Sequence, residues 1–109
     1  MKFDEYQELS ARTAMYPGRG NNLTYPTLGL SGESGEVAEK VKKLIRDKAG
    51  VLDDTVRADL GKELGDVLWY VAQLCSELGL SMSEVAQGNI EKLSSRMARG
   101  TISGDGDNR

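Results

Sequence analysis

The chain has 109 residues, a net charge of −3 and no histidine, and these facts exclude several classes of protein. This length corresponds to one domain with a modest core. An acidic balance gives no support to nonspecific binding of a nucleic acid polymer, which needs a basic surface. No apolar run approaches the roughly 20 residues of a membrane span, and the N-terminus has no signal-peptide character. The single cysteine, Cys75, cannot form an internal disulfide, so we expect a cytoplasmic protein.

The absence of histidine narrows the possible chemistry further. It removes Ser-His-Asp and Cys-His triads, the H-E-x-x-H zinc site and the Glu-x-x-His pairs of di-iron bundles. Any reaction must therefore use carboxylates, amines, hydroxyls or a bound ion. Oxygen ligands favour Mg²⁺, Mn²⁺ or Ca²⁺ over zinc. Because the chain has no D-x-D-x-D-G loop, a simple Ca²⁺ sensor is not supported.

The first predicted helix spans residues 3–16 and ends before Pro17. Its narrow apolar stripe contains Phe3, Tyr6 and Leu9. The following PGRGNN segment, 17–22, is a loop by its Gly, Pro and Asn content.

The second predicted helix spans residues 28–48, with Thr27 as its N-cap and Gly50 as its stop. Its first half contains three glycines, Gly29, Gly32 and Gly35. Each would cost about 1 kcal/mol against alanine in a helix interior. Either the first turns are irregular, or a neighbouring backbone or a ligand comes close there, and the sequence leaves both open.

The third predicted helix spans residues 55–79 and carries the clearest pattern in the chain. Asp53 or Asp54 can cap it, and Gly79 ends it. Apolar residues recur at alternating spacings of three and four, as is typical of a packed helix. They are Leu60, Leu64, Val67, Val71, Leu74 and Leu78.

The fourth predicted helix spans roughly residues 82–99 and opens at a capping box, Ser81-Met-Ser-Glu84. Its inward positions would be Met82, Ala86, Ile90, Leu93 and Met97. Residues 101–109 have no apolar period and are predicted to be a disordered tail after a domain of residues 1–100. No strand pattern of useful length occurs, so the prediction is an all-α, four-helix bundle.

Two carboxylate pairs, Glu33-x-x-Glu36 and Glu63-x-x-Asp66, lie on the second and third helices. The i, i+3 spacing puts both members of a pair on one helix face, beside the apolar stripe. Four converging acids repel one another and lose hydration, and a divalent cation relieves both costs. The pattern therefore predicts a magnesium site between two helices. The alternative is that these acids only solvate exposed helix faces.

Two further groups lie on the same flank of the bundle. Tyr70 continues the edge that carries Glu63 and Asp66, and the fourth helix presents Asn89, Lys92 and Arg96. Acids facing amide and basic groups suit an anionic ligand held through a metal.

These residues belong to stretches that resemble a known family. The runs GLSGESGEVAEKVKK and ELGDVLWYVAQLCSELGLSMSEVAQGNIEKLSSR are similar to the MazG-like nucleotide pyrophosphohydrolases, whose signature is E-x-x-E, a spacer, and E-x-x-D. The resemblance covers about residues 25–97. It implies that the four signature acids, Glu33, Glu36, Glu63 and Asp66, bind Mg²⁺. It also implies substrate contacts from Asn89, Lys92, Arg96 and Tyr70, in a helical dimer or tetramer with sites at subunit interfaces.

The function expected from this resemblance is cleavage of a (deoxy)nucleoside triphosphate between the α- and β-phosphates. Mg²⁺ is the expected cofactor, with Mn²⁺ as the alternative. The expected assembly is a homodimer or homotetramer. Glu36 or Glu33 would act as the general base. The nucleobase would stack against the first helix or against the 17–25 loop region, which offers Tyr16, Arg19, Asn22 and Tyr25. The short single-domain form resembles phage enzymes, which favours a purine such as dGTP. The alternative is a non-catalytic helical oligomerisation or adaptor module that uses Trp69 and the third helix as an interface.

Overall fold

The computed structural model describes all 109 residues as four helices with no strand. The helices are α1 (Phe3–Ala11), α2 (Thr24–Lys48), α3 (Asp54–Glu77) and α4 (Met82–Ala98). The predicted all-α fold of four helices is therefore confirmed. Residues 101–109 contain turns and bends but no regular secondary structure. No helix combines the length and apolar character needed to cross a membrane.

Helix α1 ends at Ala11, so the prediction that it continues to residue 16 was wrong. The backbone N–H of Thr13 donates to the carbonyl of Ser10, and that of Ala14 donates to the carbonyl of Ala11, each at 3.1 Å. These are i→i+3 turns, tighter than α-helical ones. The Thr13 hydroxyl also donates to the Ser10 carbonyl at 3.0 Å. This local side-chain bond competes with continued helix and helps to end α1.

Helix α2 begins at Thr24, four residues before the predicted start. Pro26 lies at the third helical position, where a backbone N–H has no intrahelical acceptor, so its missing donor costs little. The side-chain Oδ1 of Asn22 accepts the N–H of Tyr25 at 3.0 Å. Asn22, and not the predicted Thr27, therefore supplies a side-chain acceptor at this helix start.

The boundaries of α3 and α4 agree with their predicted starts and ends to within two residues. The Asp53 carboxylate accepts the N–H of Val56 at 2.8 Å, which decides between the two candidate caps of α3. The Ser81 hydroxyl accepts the N–H of Glu84 at 3.2 Å at the start of α4. Both caps satisfy N–H groups that have no partner inside the helix.

Helices α2 and α3 pack along each other as a hairpin, and this is the most extensive helix pairing in the chain. A Cβ atom added to Gly29 would lie 2.1 Å from Cε1 of Tyr70, so the tyrosine ring rests directly on the α2 backbone. The close neighbour at Gly29 is therefore a side chain and not the backbone or ligand expected from the sequence. The other alternative, irregular first turns, was wrong, because helix α2 stays regular through all three glycines. Gly32 and Gly35 face open space.

Helix α1 packs against α3 and against the beginning of α4. The backbone N–H of Asp4 donates to the Ser83 hydroxyl at 3.1 Å, and Gln7 Oε1 accepts the N–H of Met82 at 2.8 Å. Met82 in turn packs with Ala72 and Cys75 of α3 in the buried core. Helix α4 is thus held at its first turn.

The core of the single chain is smaller than the apolar stripes predict, since only nine of 109 residues are buried. Leu64 of α3 and Met97 of α4 are 57% and 67% exposed, and Ile90 and Leu93 of α4 are also exposed. Their predicted inward orientation is wrong within one chain, because α4 packs on the short α1 and not along the hairpin. The radius of gyration is 16.8 Å, whereas a compact chain of this length has about 13 Å.

Candidate metal-binding site

Three carboxylates from two helices converge where α2 and α3 pack. Glu33 comes from α2, and Glu63 and Asp66 come from α3, where the i, i+3 spacing puts them on one face. One carboxylate oxygen from each residue lies within 4.8 Å of the other two. Glu33 and Glu63 are half-buried, and Asp66 is exposed. We call Glu33, Glu63 and Asp66 the acid trio.

The charges of the trio are only partly compensated. Burial raises the pKa of Glu33, and the carboxylates of Asp66, Glu63 and Glu36 raise it further. The one ion pair made by the trio joins Lys40 Nζ to a Glu63 oxygen at 3.6 Å. A hard divalent cation fits this set, because all its donors are carboxylate oxygens and their mutual repulsion would be relieved on binding.

Glu36, the fourth predicted ligand, lies outside the acid trio. Glu36 is exposed, yet the charge of its carboxylate contributes to the raised pKa of Glu33. The structure therefore brings three of the four signature acids into ligand distance of one another and leaves the fourth beside them.

Two tyrosines border the trio. Burial raises the pKa of Tyr70, and its neighbours Tyr25, Glu33 and Asp66 raise it further. Tyr70 thus lies beside the acids, where the sequence predicted it. Burial also raises the pKa of Tyr6 of α1, with a smaller contribution from Asp66. From the sequence, Tyr6 is predicted only as part of an apolar stripe, because the contact between α1 and α3 has no local signal.

The predicted α4 residues do not bind the trio within one chain. The Asn89 side chain is exposed. Lys92 Nζ lies 2.8 Å from the Asp107 carboxylate. The Arg96 side chain is buried and donates to both the carbonyl and the carboxylate of Asp107. These partners hold the pKa of the Asp107 carboxyl below its usual value, Lys92 having the larger effect.

Of the residues proposed for the nucleobase, Tyr16 and Tyr25 form a stacked pair with ring centroids 4.9 Å apart and an interplanar angle of 12°. Tyr16 is buried, whereas Tyr25 is 43% exposed. The side chain of Asn22 is used within the chain, since its Nδ2 donates to the Pro17 carbonyl at 2.7 Å. Tyr25 is therefore the member of this group with a ring open to a ligand.

An all-α chain whose central hairpin gathers carboxylate oxygens is, by fold and site, a helical protein with an acidic cluster whose donors suit a hard cation. The family model described as the MazG nucleotide pyrophosphohydrolase domain matches residues 23–100, which include α2, α3 and α4. The chain belongs to this family, and the resemblance noted from the sequence is confirmed. It is 53% identical over 114 residues to the "Gene 37 protein" of Mycobacterium phage L5, with all of both chains covered. No solved structure matches the chain significantly.

Proposed function

We propose that this protein is a Mg²⁺-dependent pyrophosphohydrolase that converts a nucleoside triphosphate to the monophosphate and pyrophosphate. The observation that carries this proposal is the convergence of Glu33, Glu63 and Asp66 within 4.8 Å in a member of the MazG family. The trio would hold Mg²⁺, or Mn²⁺ in its place. When bound, the ion would neutralise phosphate charge and lower the pKa of the attacking water, so that it loses its proton more readily.

The residues around the trio have separable roles in this reaction. Glu36 is exposed and lies outside the trio, so its carboxylate is free to accept the proton of the attacking water, and we assign it the general-base role. Lys40 Nζ lies 3.6 Å from a Glu63 oxygen, so this ion pair would hold the Glu63 side chain at the site. Burial raises the pKa of Tyr70, and the charge of the neighbouring Glu33 raises it further. Tyr70 would contact the substrate beside the phosphates.

The α4 residues would act across a subunit interface. Lys92 and Asn89 are at least partly exposed, and we propose that they bind phosphate and sugar oxygens of a nucleotide on the trio of a second copy. Arg96 is buried against Asp107, so it would orient this end of α4. Two observations support a homodimer or homotetramer: the extended shape of the single chain and the exposed apolar rows on α3 and α4.

The experiment is a panel of nucleoside triphosphates incubated with Mg²⁺, with monophosphate and pyrophosphate measured separately. The panel begins with dGTP, the purine favoured from the sequence. Glu63→Gln should lower kcat by orders of magnitude without lowering the melting temperature, since it removes a metal ligand and a repulsive charge. Glu8→Gln is the matched control, because Glu8 is exposed and makes no hydrogen bond. Full activity in Glu63→Gln would refute the proposal.

The alternative function, an adaptor module, is tested by the same panel, because an adaptor releases no pyrophosphate. Its predicted anchor, Trp69, is half-buried. The indole N–H donates to the Thr13 hydroxyl at 2.9 Å. The indole ring packs edge-on against the Tyr70 ring, with the ring centroids 5.0 Å apart. These contacts within the chain weigh against Trp69 as the centre of a partner interface.

A further inference from the structure

The carboxylate of Glu77, in the last turn of α3, binds the connection between α1 and α2. It accepts the Tyr16 hydroxyl at 2.5 Å and the Gly20 N–H at 2.9 Å through one oxygen, and the Asn22 N–H at 3.2 Å through the other. These donors hold the pKa of Glu77 below its usual value, the tyrosine having the largest effect. One side chain on a regular helix therefore fixes three points of an irregular segment.

The backbone of this connection is shaped for that contact. Gly18 and Gly20 have φ values of +67° and +94°, a region that favours glycine, and the second of these residues donates its N–H to Glu77. Asn22 then caps the start of α2 by accepting the Tyr25 N–H at 3.0 Å. The contacts of Glu77 thus extend, through Asn22, to the first turn of the helix that carries Glu33.

The same contacts fix an aromatic ring beside the acid trio. Tyr16, held by Glu77, stacks on Tyr25 in nearly parallel planes. Burial together with the Glu77 contact raises the pKa of Tyr16 to about 12, so its hydroxyl stays a donor at neutral pH. Tyr25 neighbours Tyr70, which lies next to Glu33. Tyr25 is therefore a ring supported by Tyr16, partly open to solvent, at the rim of the site.

We propose that Glu77 is a positioning residue that fixes Tyr25 as the platform on which the nucleobase stacks. The inference rests on the proposed function for the identity of the ligand. A platform held in place before binding loses little entropy when a base stacks on it, so its stacking energy goes into affinity. The hydrogen bonds of Glu77 go to Tyr16, Gly20 and Asn22 and not to the acid trio, so its effect should fall on binding of the base.

The test compares a nucleotide with a ligand that has no base. In Glu77→Gln, one carboxylate oxygen becomes an amide NH₂, which cannot accept the bonds now made there. We expect KM for dGTP to rise by about tenfold, the equivalent of one weakened stacking contact, with kcat within about twofold of the parent. Binding of inorganic tripolyphosphate with Mg²⁺, measured by calorimetry, should stay within about twofold, because no base is present. Tyr16→Phe, which keeps the ring stack, should give a smaller change of the same kind, and Glu8→Gln none.

The outcomes separate this inference from the proposed function. A parent protein that hydrolyses dGTP while Glu77→Gln keeps the parent KM overturns the positioning role alone. Equal weakening of dGTP and tripolyphosphate also overturns it, since Glu77 would then support the whole site and not the base platform. If Glu77→Gln fails to fold, Tyr16→Phe decides by the same comparison. A parent that neither binds nor hydrolyses any nucleotide of the panel overturns both.

Discussion

Removing the charge of Glu33 tests the acid trio most directly, because stability and metal binding should change in opposite directions. Without a cation, Glu33 is held against two carboxylates within 4.8 Å, and its pKa is raised by burial and by their charge. The variant Glu33→Gln removes this repulsion and keeps the size of the side chain. The metal-free variant should therefore be more stable than the parent, although it has lost a proposed ligand.

The size of the expected stability gain follows from the distance between the carboxylates. Two unit charges about 5 Å apart repel by about 1 kcal/mol in water and by about 3 kcal/mol at an effective dielectric constant of 20. Because Asp66 is exposed, solvent screens the interaction and the lower figure applies. A gain of about 1 kcal/mol raises the melting temperature of a domain of this size by about 4 °C or more.

The assay is thermal unfolding followed by circular dichroism, first with EDTA and then with Mg²⁺. The parent should gain about 2.7 kcal/mol at a Mg²⁺ concentration one hundred times its dissociation constant, and Glu33→Gln should gain little. Glu36→Gln is the matched comparison, because Glu36 is outside the trio; it should keep most of the Mg²⁺ response and lose kcat. A Glu33→Gln protein that is less stable in EDTA and still responds fully to Mg²⁺ would refute the reasoning.

Three further predictions concern packing, assembly and pH. Gly29→Ala should lower the free energy of unfolding by about 1–3 kcal/mol, because its methyl group would overlap the Tyr70 ring. Gly32→Ala, in open space, should instead raise it by up to about 1 kcal/mol. Urea unfolding measures both variants. The parent should sediment as a dimer or tetramer, and Met97→Glu should shift it towards monomer; a monomeric parent contradicts the assembly. Since the pKa of Glu77 is lowered in the folded state, the stability it contributes is present at neutral pH and is lost as the pH falls below about 4. The parent should therefore lose more stability than Glu77→Gln between neutral and acid pH, and equal losses would contradict the contacts of Glu77.

The helices could be predicted from the sequence because their signals are local. Apolar spacing gave the existence of all four, and Ser81 marked the start of α4 correctly. The boundary errors arose where a side chain decides between alternatives of similar energy. Thr13 binds the Ser10 carbonyl and ends α1 early, while Asn22 accepts the Tyr25 N–H and lets α2 begin before Pro26.

The candidate site was predictable only in part, for a related reason. An i, i+3 spacing fixes which acids share a helix face, and pairing two helices brings Glu33 to Glu63 and Asp66. The spacing does not fix how far the second helix rotates, so it did not separate Glu36 from the trio. Glu77 gave no signal, because its contacts join residues 55 or more positions apart.

The position of α4 connects the site to assembly. The sequence predicts a polar flank on this helix, but a pattern on one helix does not identify the neighbour that it faces. In the single chain, Lys92 and Arg96 bind Asp107, and the apolar row that includes Ile90 and Met97 is exposed. If Lys92 serves a triphosphate on the trio, α4 must approach the hairpin of another copy, and the same approach would cover its exposed apolar row. Catalysis and assembly should therefore fail together in Met97→Glu: a monomeric variant with parental kcat/KM would show that each chain carries a complete site.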